Sequence, residues 1–147
     1  MNYSLKSASA ADKPWLDHLR RECYKDLFDA TWGHWDEDRH LRHFSSCLEK
    51  GNIQIIEYED APIGMLQVFD IDGAIEISEI QISPEHQGKG LGSTVIGDII
   101  QRANESKKKV ALSTGLKNEG AFRLYKELGF EETRRTDAKV YMEYFEK

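Results

Sequence analysis

The sequence predicts an α+β fold, and three features predict it. The segments NIQIIEY, IGMLQVF and AIEISEIQI are short apolar strand patterns in series, separated only by EDAP and DIDG, which makes them an antiparallel meander. Amphipathic helical patterns stand on both sides of this meander in the chain. The last third returns to strand patterns, KKKVALST and the pair within EETRRTDAKVYMEYF, on either side of one more helix. With 147 residues and 39% hydrophobic composition, residues 1–147 are expected to form a single domain with one continuous core.

Each element has a local reason. YSLKSAS alternates as a first strand, and Ser9 is placed to cap a helix whose apolar positions include Trp15, Leu16, Leu19 and Leu27. FDATWGHWDEDRHLRHF mixes aromatics, acids and histidines around Gly33 and resumes as a second helix from about Asp36 to Glu49. After the meander, Leu91, Val95, Ile96, Ile99, Ile100 and Ala103 recur at helical spacing and mark a core-facing stripe. NEGAFRLYKELGF reads as a helix that Asn118 is placed to cap and Gly129 to end.

The third strand of the meander has an irregular pattern. Its apolar positions run Ile75, Ile77 and then Ile80, Ile82, so the phase slips by one. Either the buried face changes, or an extra residue forms a β-bulge near Ser78 and Glu79, or the strand is buried on both faces. A bulge would open backbone N–H and C=O groups to a ligand.

Composition excludes several functions. A formal net charge of −6 opposes a polyanionic partner, so no nucleic acid is expected. Cys23 and Cys47 form no CxxC pair, so neither a disulfide framework nor a thiolate metal site is indicated, which suits a reducing cytoplasm. MNYSLKSASAADK lacks the regions of a secretory signal, and no window approaches ~18 consecutive apolar residues. A soluble, unprocessed, cytoplasmic protein without a membrane partner is expected. His34, His40 and His43 lack a ligand pattern, so no metal is expected.

The chemistry concentrates in SPEHQGKGLGSTVIGDII, where a glycine-rich loop opens the third helical pattern. Backbone amides bind phosphate where a loop bends sharply, lets a ligand approach without Cβ atoms and delivers it to a helix N-terminus. Gly88, Gly90 and Gly92 meet those needs, although a purely structural glycine turn also does. The Walker A pattern fails for want of its lysine-hydroxyl pair, and the dinucleotide fingerprint fails because Ser93 or Val95 stands at its third glycine.

What remains is Q-x-x-G-x-G over Gln87, Gly90 and Gly92, followed about thirty residues later by N-x-x-A-x-x-x-Y-x-x-x-G-F over Asn118, Ala121, Tyr125, Gly129 and Phe130. These two motifs, in this order, resemble the GNAT superfamily of N-acetyltransferases. The resemblance is at motif level from about Ile53 to Phe130, and the element order extends it over the whole chain. It implies a GNAT-like three-layer fold, with a mixed, mostly antiparallel central sheet and helices on both faces. It also implies acetyl-CoA as acetyl donor, direct transfer to a primary amine and no metal.

The resemblance assigns roles to residues. Gln87, Gly88, Lys89, Gly90, Leu91, Gly92 and Ser93 would receive the pyrophosphate of acetyl-CoA, chiefly on backbone amides. Ile80, Gln81 and Ile82 would lie along the pantetheine through their backbone groups. Asn118 matches a position that bonds the pantetheine, a role compatible with a plain helix cap. Tyr125 matches the family's general acid near the sulfur, although its helical spacing with Phe122 and Leu128 also suits a core residue. Glu76 and Glu79, eleven and eight residues before Gln87, are the two candidate bases, and a solvated or salt-bridged strand acid is the alternative for each.

The N-terminal third carries no transferable motif. Trp32 and Trp35 are candidate walls of an acceptor slot, and Asp36, with Glu37 and Asp38, a candidate attraction for a cationic amine. Packing against the sheet and an acidic first helical turn explain the same residues. The acceptor is expected to be a small-molecule or peptide amine. The closing strand KVYMEYF is a candidate homodimer contact. The alternative function is an acyl-CoA-binding regulatory module without turnover.

Overall fold

The computed structural model describes residues 2–146. Its elements are β1 (Tyr3–Ser7), a 3-10 turn (Ala10–Asp12), α1 (Lys13–Trp32), α2 (Glu37–Lys50), β2 (Ile53–Tyr58), β3 (Ala61–Ile71) and β4 (Ala74–Ile82). A second 3-10 turn (Pro84–His86), α3 (Leu91–Glu105), β5 (Lys109–Gly115), α4 (Glu119–Glu127), β6 (Glu131–Arg135) and β7 (Lys139–Tyr144) follow. The strands form one mixed sheet in the order β1-β2-β3-β4-β5-β7-β6, with β4 and β5 parallel. β1 with β2, β2 with β3, β5 with β7 and β6 with β7 pair antiparallel. The α+β class expected from the sequence is the class observed. No described helix is long and apolar enough to cross a membrane.

The chain divides into two compact units, each drawn from two stretches. The first is the chain up to Gln67 with Glu79–Lys89, and the second is Val68–Ser78 with the chain from Gly90 on.

In the first unit, the Asp12 carboxylate accepts from the Ser9 amide at 2.8 Å, closing the turn that leads into α1. Leu16 and Leu19 of α1 then meet Phe44 and Cys47 of α2 and Met65 of β3 in one apolar cluster. Burial of a leucine in such a cluster contributes about 2 kcal/mol. The helical spacing of Leu16 and Leu19 also carries Arg20 inward, to 4% exposure. α2 ends under a clamp from β3, where buried Gln67 donates through Nε2 to the carbonyls of Cys47 and Gly51 at 2.9 and 2.7 Å.

Some details differ from the sequence reading. The turn expected over EDAP is only Glu59 and Asp60, both at positive φ, and Pro62 lies inside β3. Pro62 is tolerated because it stands opposite Glu57, where the β2–β3 register shifts and the regular ladder is already broken.

The second detail is β4. Its burial alternates without a break, Ile75, Ile77, Glu79 and Gln81 buried and Glu76, Ser78, Ile80 and Ile82 half-buried. The slip in the apolar pattern therefore coincides with no break in the alternation of burial. The buried face simply changes content, from two isoleucines to a carboxylate and an amide. Consequently Glu76 is half-buried and Glu79 buried, on opposite parities of the strand.

In the second unit, the expected DIDG turn narrows to Asp72–Gly73, with Asp70 and Ile71 still in β3. α3 buries Leu91, Val95, Ile96, Ile99 and Ala103, the stripe read from the sequence, with Ile100 half-buried at its margin. The register between β4 and β5 runs over Ala74–Glu76. Asn118 caps α4, and the helix closes before Gly129 at φ 103°, where the Phe130 amide donates to the Tyr125 carbonyl at 3.0 Å. β7 is paired on both sides, by β5 and β6, so it offers no free edge to a second copy. The open edge beyond it belongs to the exposed strand β6.

Candidate functional site

The approach to α3 is a chain of local hydrogen bonds. The Ser83 amide donates to the Ile63 carbonyl at 2.7 Å, and the His86 and Gln87 amides donate back to Ser83 and Pro84 at 2.8 and 3.3 Å. Gln87 then turns its side chain inward, Nε2 donating to the Ile82 carbonyl at 2.8 Å. Gly88 and Gly90 have φ of 76° and 85°, the left-handed region that side chains with a Cβ avoid.

Gly90 is the N-cap of α3, and with no side chain of its own it caps nothing. The first intrahelical donor is Thr94, whose amide reaches the Gly90 carbonyl at 3.0 Å. The amides of Leu91, Gly92 and Ser93 therefore precede the helical ladder. No acid stands in this first turn, and the helix dipole places positive charge there. Lys89 beside it is exposed. The arrangement suits a phosphate group, which such amides bind without charged side chains.

The end of β4 holds a buried polar cluster. Glu79, 9% exposed, accepts from His43 Nε2 at 2.6 Å and faces Arg20 Nη1 at 3.9 Å. Tyr24 Oη and Gln81 Nε2 each donate to its other oxygen at 3.4 Å. Burial pushes the Glu79 carboxyl up, but the hydrogen bond and charge of His43, the charge of Arg20 and the Gln81 hydrogen bond outweigh it and hold it below its usual value. The guanidinium of Arg20 also lies over the Tyr24 ring, 4.3 Å from its centroid. His43 itself remains 42% exposed at its side chain.

The remaining predicted residues are distributed as follows. On β4, Ile80 and Ile82 are half-buried and Gln81 is buried. The Ile82 carbonyl accepts from Cys23 Sγ at 3.3 Å as well as from Gln87. Glu76 stands opposite Ala111 of β5. Asn118 Oδ1 accepts from the Ala121 amide at 3.2 Å, so its cap is real. Tyr125 is 8% exposed, with its ring 5.9 Å from that of Phe130.

The aromatics around Gly33 pack largely on one another. Trp35 stacks on Phe28 at 4.3 Å, and Trp32, 40% exposed, meets Phe28 edge-on and carries the Arg39 guanidinium over its face at 4.1 Å. Asp36 accepts from the Arg39 amide as the N-cap of α2. Glu37 holds Arg21 in a fork at 2.6 and 2.8 Å. Both acids thus already have partners within the chain. His40 is fully buried with Nε2 2.6 Å from Asp17, so it and His43 serve different carboxylates.

Sequence reasoning missed Arg20, Tyr24 and the role of His43. The signal was present in part: Arg20 interrupts the apolar spacing of Leu16, Leu19 and Cys23, and His43 lies one residue from the buried stripe His40, Phe44 and Cys47. Neither pattern says that a distant strand supplies the counter-charge.

Comparison with known proteins adds a family. Residues 13–130 match the acetyltransferase (GNAT) family. N-acetyltransferase 8 of Mus musculus is 25% identical over 132 residues, covering 84% of this chain and 52% of that protein. An uncharacterized N-acetyltransferase of Methanocaldococcus jannaschii is 40% identical over 58 residues, 39% of this chain and 26% of that one. Against N-acetyltransferase 8, the chain thus spans about half of the relative's length. Among solved structures, the PaiA N-acetyltransferase of Thermoplasma acidophilum, in complex with coenzyme A, superimposes with a TM-score of 0.75 at 17% identity, covering 99% of this chain and 100% of that one.

Proposed function

We propose, from the premise that this chain belongs to the acetyltransferase (GNAT) family, that it is an N-acetyltransferase moving an acetyl group from acetyl-CoA directly to a primary amine. The observation that carries the reading is the opening of α3: left-handed Gly90 as its N-cap, no capping side chain, and three amides ahead of the helical ladder. Those features fit the pyrophosphate of acetyl-CoA, and a solved structure of like fold holds coenzyme A. Gln87 to Ser93 are the proposed pyrophosphate seat. The backbone groups of Ile80, Gln81 and Ile82, with Asn118, are the proposed line of the pantetheine. The two compact units are proposed to serve as one catalytic domain.

Acetyl transfer requires a neutral amine, help for the oxyanion that forms on the carbonyl, and a proton for the departing sulfur. Glu76 and Glu79 are the carboxylates β4 offers to the first requirement. An amide near Ile80 is assigned to the second and Tyr125 to the third. Trp32, Trp35 and Asp36 are proposed on the acceptor side. The acceptor class is a small-molecule or peptide amine, and a homodimer and a cytoplasmic setting belong to the same reading.

The test is release of free thiol from acetyl-CoA across polyamines, amino acids and lysine-bearing peptides. Amine-dependent release supports the reading. Saturable acetyl-CoA binding with no release for any amine supports a regulatory binding module instead.

A further inference from the structure

Glu79 is a poor candidate for meeting the amine itself. Its carboxylate is 9% exposed, and its two oxygens are occupied by His43, Tyr24 and Gln81, with Arg20 beside them. A carboxylate so held is ionised and acceptor-only, so it fixes the proton of His43 on Nε2. Nδ1 then carries the lone pair. No described residue hydrogen-bonds to Nδ1, and the ring is 42% exposed. The pair thus joins an accessible imidazole nitrogen to a buried carboxylate.

We propose that His43 is the catalytic residue that takes the acceptor's proton, on Nδ1, and that Glu79 is its positioning residue. The inference rests on the N-acetyltransferase reading above. An ammonium acceptor gives one proton to Nδ1, and the neutral nitrogen forms its bond to the thioester carbonyl carbon. The C–S bond breaks and its electron pair leaves with sulfur. The second nitrogen proton reaches that sulfur by way of Tyr125, and the imidazolium returns its proton to solvent. The charged and titratable groups facing the pair are Arg20 and Tyr24 from α1 and Cys47 from α2, with neutral Gln81 beside Glu79 on β4. Arg20 keeps Glu79 ionised through the cycle, so Glu79 orients the ring without taking the proton.

The experiment is the pH profile of thiol release for the wild type, His43→Gln and Glu79→Gln, with side-chain nitrogen NMR of the histidines as a readout independent of turnover. His43→Gln is expected to lower kcat about 100-fold and to remove the limb on which activity rises with pH, leaving acetyl-CoA-induced thermal stabilisation intact. Glu79→Gln is expected to end the pure Nε2–H form of His43. Unchanged rate and limb in His43→Gln overturn the inference while leaving the acetyltransferase reading in place. An unchanged His43 resonance in Glu79→Gln overturns the positioning role. A wild type that releases no thiol with any amine overturns the acetyltransferase reading and this inference with it.

Discussion

The guanidinium of Arg20 faces the carboxylate of Glu79 at 3.9 Å, with side chains only 5% and 9% exposed. Two opposite charges removed from water together sustain each other, and loss of either leaves the other uncompensated. This pair is the electrostatic base of the first unit.

A pH dependence of stability follows. The folded Glu79 carboxyl lies below its unfolded value of about 4.5, so the folded state binds fewer protons in that region. Its contribution is therefore complete above about pH 4.5 and is lost as pH falls through the folded value. Glu79→Gln should cost about 3 kcal/mol at neutral pH, since it strands buried Arg20. Urea unfolding at pH 7 and at intervals below pH 4.5 checks this: the gap between wild type and variant narrows toward acid. A constant gap contradicts it.

Gly64 marks a close approach of β3 to the same end of β4. A Cβ there would lie 2.3 Å from the Gln81 carbonyl oxygen, a backbone atom that cannot swing aside. Gly64→Ala should therefore destabilise the fold by about 3 kcal/mol, at the upper end of overpacking costs. Chemical denaturation measures it, and a cost below about 1 kcal/mol would mean that the strands separate easily.

The α3 opening separates binding from stability. An aspartate at position 92 is favourable to the helix dipole but repels a diphosphate. Gly92→Asp should keep the unliganded melting temperature within a few degrees and abolish its rise on adding acetyl-CoA. A retained rise removes the pyrophosphate assignment.

Tyr125 divides its two readings by kinetics. As the acid for the departing sulfur, Tyr125→Phe lowers kcat by about 100-fold with little change in KM for acetyl-CoA. As a core residue alone, it changes stability and leaves kcat near the wild type. Steady-state kinetics beside a melting curve distinguishes the two.

Much of the fold was legible because the apolar residues obey the helical and strand periods over long stretches. The α3 stripe from Leu91 to Ala103 and the alternation at Ile75 and Ile77 of β4 follow directly from burial. The loop motif was legible because glycine's freedom is written in the residue itself at Gly88 and Gly90. The cluster around Glu79 was not legible. A rule that sends apolar residues inward assigns Ile80 and Ile82 to the core, whereas the buried positions hold Glu79 and Gln81, stabilised by partners from α1 and α2. Such compensation depends on tertiary contacts that no local window contains. Pro62 was misplaced for a similar reason: a register shift in its partner strand makes room for a residue without an N–H.

Direct transfer requires no acetylated cysteine on the chain. Burial pushes the thiols of Cys23 and Cys47 up to about 11, so neither is a ready nucleophile at neutral pH. The most direct measurement is a rapid-quench single turnover with isotopically labelled acetyl-CoA and a primary amine, the chain and the amine being weighed separately by mass spectrometry. The label should pass to the amine at the rate of thiol release and never accumulate on the chain. Labelled chain that forms before labelled amine, or label that never leaves coenzyme A, would contradict the account.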